Sequence, residues 1–464
     1  MHVLLISTYE LGRQPFGLAE PAAWLRKSGF EVACLDLAVE GLDEARVRAA
    51  DLIAVHIPMH TATRIALAAI DRIRTWNSRA HLCFYGLYAP VNAELLRARG
   101  AGTLLGGEFE AGLLDLAERL RRGEPVGQRE ALVSVARQEF LVPDRTGLPP
   151  LIRYASLLPG EGPPRTAGYV EASRGCKHLC RHCPVVPVYG GRFRIVPREI
   201  VLADVRQQVA AGAEHITFGD PDFLNGPTHA TELVEAMHRE FPLVSYDVTV
   251  KVEHLLQHAG LLPVLRRTGC LFVTSAFETN DDLILARLEK GHTRADAERV
   301  VALCADAGLD LAPTFVPFTP WTTLAGYRDL LAWIAALGLA ERVPPVQLGL
   351  RLLIPGGSRL LELPEAGGFA RPFDPGALAH PWSSPDPAVD RLAAKVMRIV
   401  EEGEKGAVSR RAIFTAVWTA ACPAGATATP PPPLLLPPAG RPSPRMSESW
   451  FCCAEPTQEQ VAAF

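Results

Sequence analysis

Long apolar runs are missing from this 464-residue chain. No stretch approaches the roughly 18 consecutive apolar residues of a membrane helix, so no membrane span is expected. The opening MHVLLISTYE has no basic n-region and its apolar run stops near Ser7, so no secretory signal is expected either. A charge excess of one sign is also missing: 47 Lys plus Arg stand against 51 Asp plus Glu, a formal net charge of -4. Such a balance does not call for nucleic acid or an anionic membrane, and it argues against tRNA, whose phosphates need basic surface. With 48% hydrophobic and 21% charged residues, the chain reads as globular and cytoplasmic, and its length suits about two to four domains. In a reducing cytoplasm the ten cysteines are not a disulfide framework. Their clustering becomes the question.

The first 125 residues alternate short apolar runs with amphipathic stretches: VLLIS from Val3, VACLDLA from Val32, LIAVHIPM from Leu52, LCFYGLY from Leu82 and TLLGG from Thr103. Five such runs predict a Rossmann-like, doubly wound α/β domain over 1–125. A Pro/Gly-bearing stretch, 126–166, reads as a linker. Six further runs begin at Tyr169, His215, Val244, Cys270, Leu309 and Val346. They fit a partial parallel (β/α)6 barrel over 167–368, with functional residues expected at the C-terminal strand ends. In the C-terminal extension, 369–464, VDRLAAKVMRIVEEG keeps a helical period. TPPPPLLLPP reads as an extended spacer, and SESWFCCAEPTQEQ follows it.

Directly after the first barrel strand stands RGCKHLCRHCP, which places Cys176, Cys180 and Cys183 in a C-x3-C-x2-C array. Thiolates this close on one loop suit an iron-sulfur cluster. Three local cysteines would leave one iron of a four-iron cubane without a protein ligand. Zinc is the alternative, since His178 and His182 lie inside the loop, although no second ligand pair follows at the usual spacing.

This array after the first strand of a (β/α) domain resembles the radical S-adenosylmethionine (radical SAM) superfamily. The resemblance implies a [4Fe-4S] cluster whose free iron chelates S-adenosylmethionine (SAM), reductive cleavage of SAM to a 5'-deoxyadenosyl radical, and a flavodoxin- or ferredoxin-type electron donor. By the same resemblance Asp220 of GDPDF would meet the methionine amino group in place of the usual Gly-Gly-Glu. Glu278 of FETNDDLILARLEKGHT would approach SAM, and Arg351 of RLLIPGGS would meet a carboxylate. VPFTPWTT from Val316 also matches the later-strand loops.

A Rossmann-like domain ahead of such a barrel is similar to the cobalamin-binding domain of the class that uses both cofactors, and GGEFE at Gly106 to Glu110 is similar to a segment those domains carry. The Asp-x-His-x-x-Gly motif that would ligate cobalt is missing, since the first strand runs into STYELGRQPFG. Cobalamin therefore stays open, and His56 and His60 read as satisfied polar residues. No G-x-G-x-x-G is present, which speaks against a dinucleotide.

The vicinal pair Cys452 and Cys453 suits redox exchange or a soft metal rather than packing. The tail resembles that of the CUAEP/CCAEP-tail radical SAM proteins, some of which carry selenocysteine at the second cysteine position. TVKVEHLL at Thr249 to Leu256 and HPWSSPDPAVD at His380 to Asp390 fit that resemblance. It implies that Cys452 and Cys453 act at or near the site. Three functions follow as expectations: a radical SAM enzyme, with methyl transfer favoured if cobalamin binds; a sulfur or methylthio insertion enzyme; or a non-catalytic iron-sulfur protein that binds a metal or metalloid. The substrate is unidentified.

Overall fold

The computed structural model describes residues 1–125, 127–422 and 442–448. Cys452, Cys453 and the Pro-rich spacer lie outside the described residues.

Five of the apolar runs form parallel strands: β1 (His2–Ser7), β2 (Glu31–Asp36), β3 (Leu52–His56), β4 (His81–Tyr85) and β5 (Thr103–Gly107). Val3 and Leu5 of β1 face one core and Leu4 and Ile6 face the other. A strand covered on both sides must be apolar at every position, which is why these runs do not alternate. Helices Phe16–Lys27 and Glu110–Arg121 pack together over the first face, and Glu44–Ala49 and His60–Trp76 over the second. The strand order is β2-β1-β3-β4-β5-β6. It reverses direction between β1 and β3, and in an open α/β sheet the crevice at such a switch point is where ligands bind.

The stretch read as a linker does more than connect. It adds β6 (Val133–Ser134), parallel to β5, to the first sheet. It also supplies β7 (Ser156–Leu158), antiparallel to β8 (Arg165–Val170).

The second sheet continues from β8 through the parallel strands β11 (His215–Phe218), β12 (Ser245–Thr249), β13 (Cys270–Glu278) and β14 (Asp310–Phe315). Between β8 and β11 a short antiparallel ribbon, β9 (Ser173–Gly175) and β10 (Phe193–Ile195), projects from the barrel. The sixth barrel strand expected from Val346 is reduced to one parallel bridge, Phe318 to Arg351. Pro344 and Pro345 have no N–H to give a ladder, and Pro345–Leu348 forms a 3-10 turn. The Gln347 side chain takes the Phe315 N–H at 2.9 Å. Pairing resumes only where Phe318 N–H reaches Leu350 O at 3.2 Å and Leu352 N–H reaches Phe318 O at 2.8 Å.

The expected C-terminal helix spans Pro387–Lys405, and a second follows at Arg410–Ala421. Val396, Phe414 and Val417 belong to the same core as Phe315 and Leu350, so this extension covers the barrel flank. The chain returns at β15 (Arg445–Met446), antiparallel to β7 at the outer edge of the second sheet. Two residues earlier, Ser443 Oγ bonds Asp310 Oδ1 of β14 at 3.2 Å. The segment 442–448 therefore joins the two edges of an otherwise open barrel. Among the described residues no helix is long and apolar enough to cross a membrane.

Candidate active site

The C-terminal ends of the two sheets face one another across a cavity of about 320 Å³. The first sheet contributes the switch-point loops, with Glu10, Arg13, His56 and Met59 among the lining residues. The barrel contributes Glu171, Asp220, Glu278 and all three cysteines of the array.

The array lies within the excursion between β9 and β10. Gly175, at φ +71°, makes the turn into it, and a Cβ there would stand 2.5 Å from both Arg192 O and the Tyr189 ring. The loop is held from outside: Arg181 N–H bonds Leu288 O at 3.0 Å, Arg359 Nη1 donates to Leu179 O at 2.7 Å, and Ser358 Oγ donates to Arg181 O at 3.2 Å. Burial pushes the Cys176 thiol up to about 11, partly offset by hydrogen bonding from the His178 backbone and by Asn225. Such a thiol stays protonated until a metal displaces the proton. His182 turns to Glu278, with Nε2 3.1 Å from Oε1, and His178 turns to Asp222, with Nε2 3.3 Å from Oδ2. Both histidines thus face carboxylates outside the array, which leaves a donor set of three soft thiols facing one cavity. That set suits an iron-sulfur cluster with one open iron.

Asp220 lines the cavity, and its carboxylate accepts from Ala172 N–H at 3.0 Å and from Ser173 Oγ at 2.5 Å, bracing the turn that leads to the cysteines. Its burial raises it to about 7 against those hydrogen bonds. A glycine must precede it, since a Cβ on Gly219 would fall 1.8 Å from the Tyr169 hydroxyl oxygen. Glu278 sits at φ +63°, a left-handed conformation that costs a non-glycine residue energy and recurs at functional sites. Burial would raise its pKa, yet the Lys290 ammonium, 3.1 Å away, and His182 hold it at about 2. Arg351, expected to meet a carboxylate, is not among the residues lining the cavity. It pairs with Asp390 of the C-terminal helix at 2.8 Å and stacks over Trp382, 4.1 Å from the ring centroid. The carboxylate it meets is the protein's own.

Sequence reasoning missed Arg174, which links residues of the two sheets. Its guanidinium reaches Glu110 at 2.6 Å, Glu108 at 3.3 Å and Glu171 at 3.4 Å, and it also pairs with Glu20. Four carboxylates against one cation cannot all ionise in a buried place. Burial raises Glu108 to about 7, and burial together with Glu108 raises Glu110 to about 8. Two of these partners come from GGEFE, and Arg174 stands two residues before Cys176. On the first-sheet side, His56 Nδ1 is 2.8 Å from Glu10 Oε1 and His60 Nε2 is 2.7 Å from Ala377 O.

Residues 170–323 match the model of the radical SAM superfamily. Among curated proteins, the chain is 24% identical over 341 residues to a hopanoid C-3 methylase of Methylococcus capsulatus, covering 68% of this chain and 64% of that one. It is 25% identical over 183 residues to the ribosomal protein uS12 methylthiotransferase RimO of Geobacter sulfurreducens, covering 37% of this chain and 40% of that one. The chain thus spans less than two thirds of these relatives' own lengths. Among solved structures, it superposes on the cobalamin-dependent SAM radical enzyme OxsB with a TM-score of 0.70 at 14% identity, covering 87% of this chain and 67% of that one. The methyltransferase TsrM from Kitasatospora setae gives 0.65 at 18% identity, covering 86% and 89%.

Proposed function

We propose that this protein, whose residues 170–323 match the radical SAM superfamily model, is a radical SAM enzyme in which Cys176, Cys180 and Cys183 hold a [4Fe-4S] cluster and SAM binds against Asp220 and Glu278 at the barrel mouth. The observation that carries this reading is the convergence of those three thiols and two carboxylates on one cavity at the C-terminal strand ends of both sheets. Cluster and SAM together supply a 5'-deoxyadenosyl radical once an external flavodoxin- or ferredoxin-type donor gives the electron. The chain's own groups do the positioning. Asp220 fixes the turn into the cysteine loop, and Glu278 binds the loop through His182 while Lys290 keeps it ionised.

Methyl transfer with cobalamin at the switch point of the first sheet is the favoured reaction. Its support is that this crevice opens into the same cavity and that OxsB and TsrM have both been solved with cobalamin bound. His56, which lines this crevice, is held through Nδ1 by the Glu10 carboxylate. Methylthio insertion is the second reading, favoured by the likeness to RimO. Cys452 and Cys453 act beside the cavity in either case. Their support is that Glu448, four positions before Cys452, contacts Tyr9 of the switch-point loop. The domain bounds that go with this reading are 1–125, 126–166, 167–368 and 369–464.

The test is anaerobic reconstitution with iron and sulfide, followed by an assay for 5'-deoxyadenosine with dithionite and SAM. Wild type is expected to bind four irons of a cubane and release 5'-deoxyadenosine, while the Cys176→Ala/Cys180→Ala/Cys183→Ala variant does neither. Iron binding without any SAM cleavage would point to a cluster carrier, and zinc in place of iron would end the proposal.

A further inference from the structure

Beside the cysteine array, and outside the roles proposed above, His178, Asp222 and His254 bring one ligand atom each to within 4.8 Å of one another. They come from three separate places in the chain: the cysteine loop, the loop after β11, and helix Val252–Gln257 after β12. His254 and Asp222 side chains are each 1% exposed. Asp222 Oδ2 lies 2.7 Å from His254 Nδ1 and 3.3 Å from His178 Nε2. Neither ring nitrogen has a hydrogen-bond partner, although both are buried. Three ligand atoms from separate parts of the chain, drawn this close together beside the cavity, form the donor set of a single cation. The unmet need of two buried imidazole nitrogens is a further cost that such a cation removes.

We propose that His178 Nε2, His254 Nδ1 and Asp222 form a mononuclear site for a first-row divalent cation of the zinc class, separate from the cysteine array. Two imidazoles and one carboxylate are the donor set of catalytic zinc and non-haem iron(II) sites, which leave a coordination position open. His178 and Asp222 line the cavity, so the open position faces it. The outer partners fit as well. A histidine that binds metal through Nε2 must offer its Nδ1–H to an acceptor. Glu253 Oε2 is 3.7 Å from His178 Nδ1, and it also holds Lys251 Nζ at 3.0 Å. Lys251 Nζ stands 3.2 Å from His178 Nδ1. With the metal bound, the Lys251 ammonium keeps its hydrogen bond to Glu253, and the His178 Nδ1–H faces the same carboxylate. The remaining oxygen of Asp222 caps its own turn, accepting Leu224 N–H at 3.0 Å. The cation would thus bind the cysteine loop to the loops after β11 and β12.

The experiment measures zinc and iron per chain in anaerobically reconstituted full-length protein. His254→Gln is expected to lose the zinc and keep the iron, and Cys176→Ala/Cys180→Ala/Cys183→Ala to lose the iron and keep the zinc. Glu253→Gln, at a side chain 44% exposed, should fold normally and weaken zinc binding by about tenfold in competition with a chelator. Zinc that is absent from wild type, or that leaves with the cysteines and stays in His254→Gln, would overturn the proposal. Iron that survives loss of the three cysteines would instead end the cluster reading and leave this one standing.

Discussion

The Tyr9 hydroxyl donates to the Glu448 carboxylate, across 439 positions of sequence. The bond joins the loop after β1, at the switch point of the first sheet, to the segment that seals the barrel. Burial and the neighbouring Glu448 charge raise the phenol well above its ordinary pKa, so it remains a donor at every working pH. Tyr9→Phe is expected to cost about 1 kcal/mol. The loss should be local, seen as faster hydrogen exchange at Ser447 N–H, which bonds Ser156 O at 2.8 Å. Unchanged exchange there would mean that β15 holds without this anchor.

Position 452 follows Glu448 by four residues, a reach of roughly 13 Å when extended. A photo-crosslinking amino acid at position 452 should therefore label the cavity rim, within 10–13, 56–59 or 171–176. Peptide mapping that finds the label only on the outer helices would remove the tail cysteines from the proposed site.

Glu278→Gln removes the carboxylate charge 3.1 Å from the buried Lys290 ammonium. A loss on the order of 3 kcal/mol in the denaturant midpoint free energy is expected at neutral pH. Glu278 is held at about 2 against an ordinary 4.5, so the stability it contributes is present above 4.5 and fades as pH falls toward 2. Wild type and variant should converge in that window, and a gap that persists in acid would point to packing instead.

Asp220 and Glu108 at about 7 and Glu110 at about 8 are raised, against ordinary values of 3.8 and 4.5. The folded chain then holds protons that the unfolded chain has released, so stability falls as pH rises through 7 to 8. His60 and His292, lowered to about 4, are finished titrating above 6.5 and do not mask the slope. The Tm of the metal-free protein should drop between pH 6.5 and about pH 8.5. Asp220→Asn should make the drop smaller, and an equal drop in that variant would place the titrating protons elsewhere.

Runs such as VLLIS and CLFVTSAF announced their strands because a parallel strand buried on both faces leaves few positions for polar residues. That the three cysteines would come together was equally legible, since they share one loop at short spacing, and all three line the cavity. Arg351 was not: its neighbours in RLLIPGGS match a cavity loop, but its partner Asp390 and its stacking on Trp382 come from the C-terminal extension, which the motif does not contain. Arg174 and its carboxylates escaped for a related reason. Glu108 and Glu110 stood out only as part of GGEFE and Glu20 and Glu171 not at all, and only the apposition of the two sheets makes them one cluster. The stretch 126–166 resembled a spacer because β6 and β7 have two and three residues, too few to show a period.

The pairing of β15 with β7 has a consequence for the order of assembly. Ser156 waits for Ser447, 291 positions later, so the barrel seam cannot close until the segment 442–448 has been synthesised. Until then β7 presents a bare edge that other strands can pair with. The elements before it have short-range partners and can fold as they emerge. Closing the seam brings Glu448 to Tyr9, so this contact with the switch-point loop forms only after the strands that wall the cavity have paired.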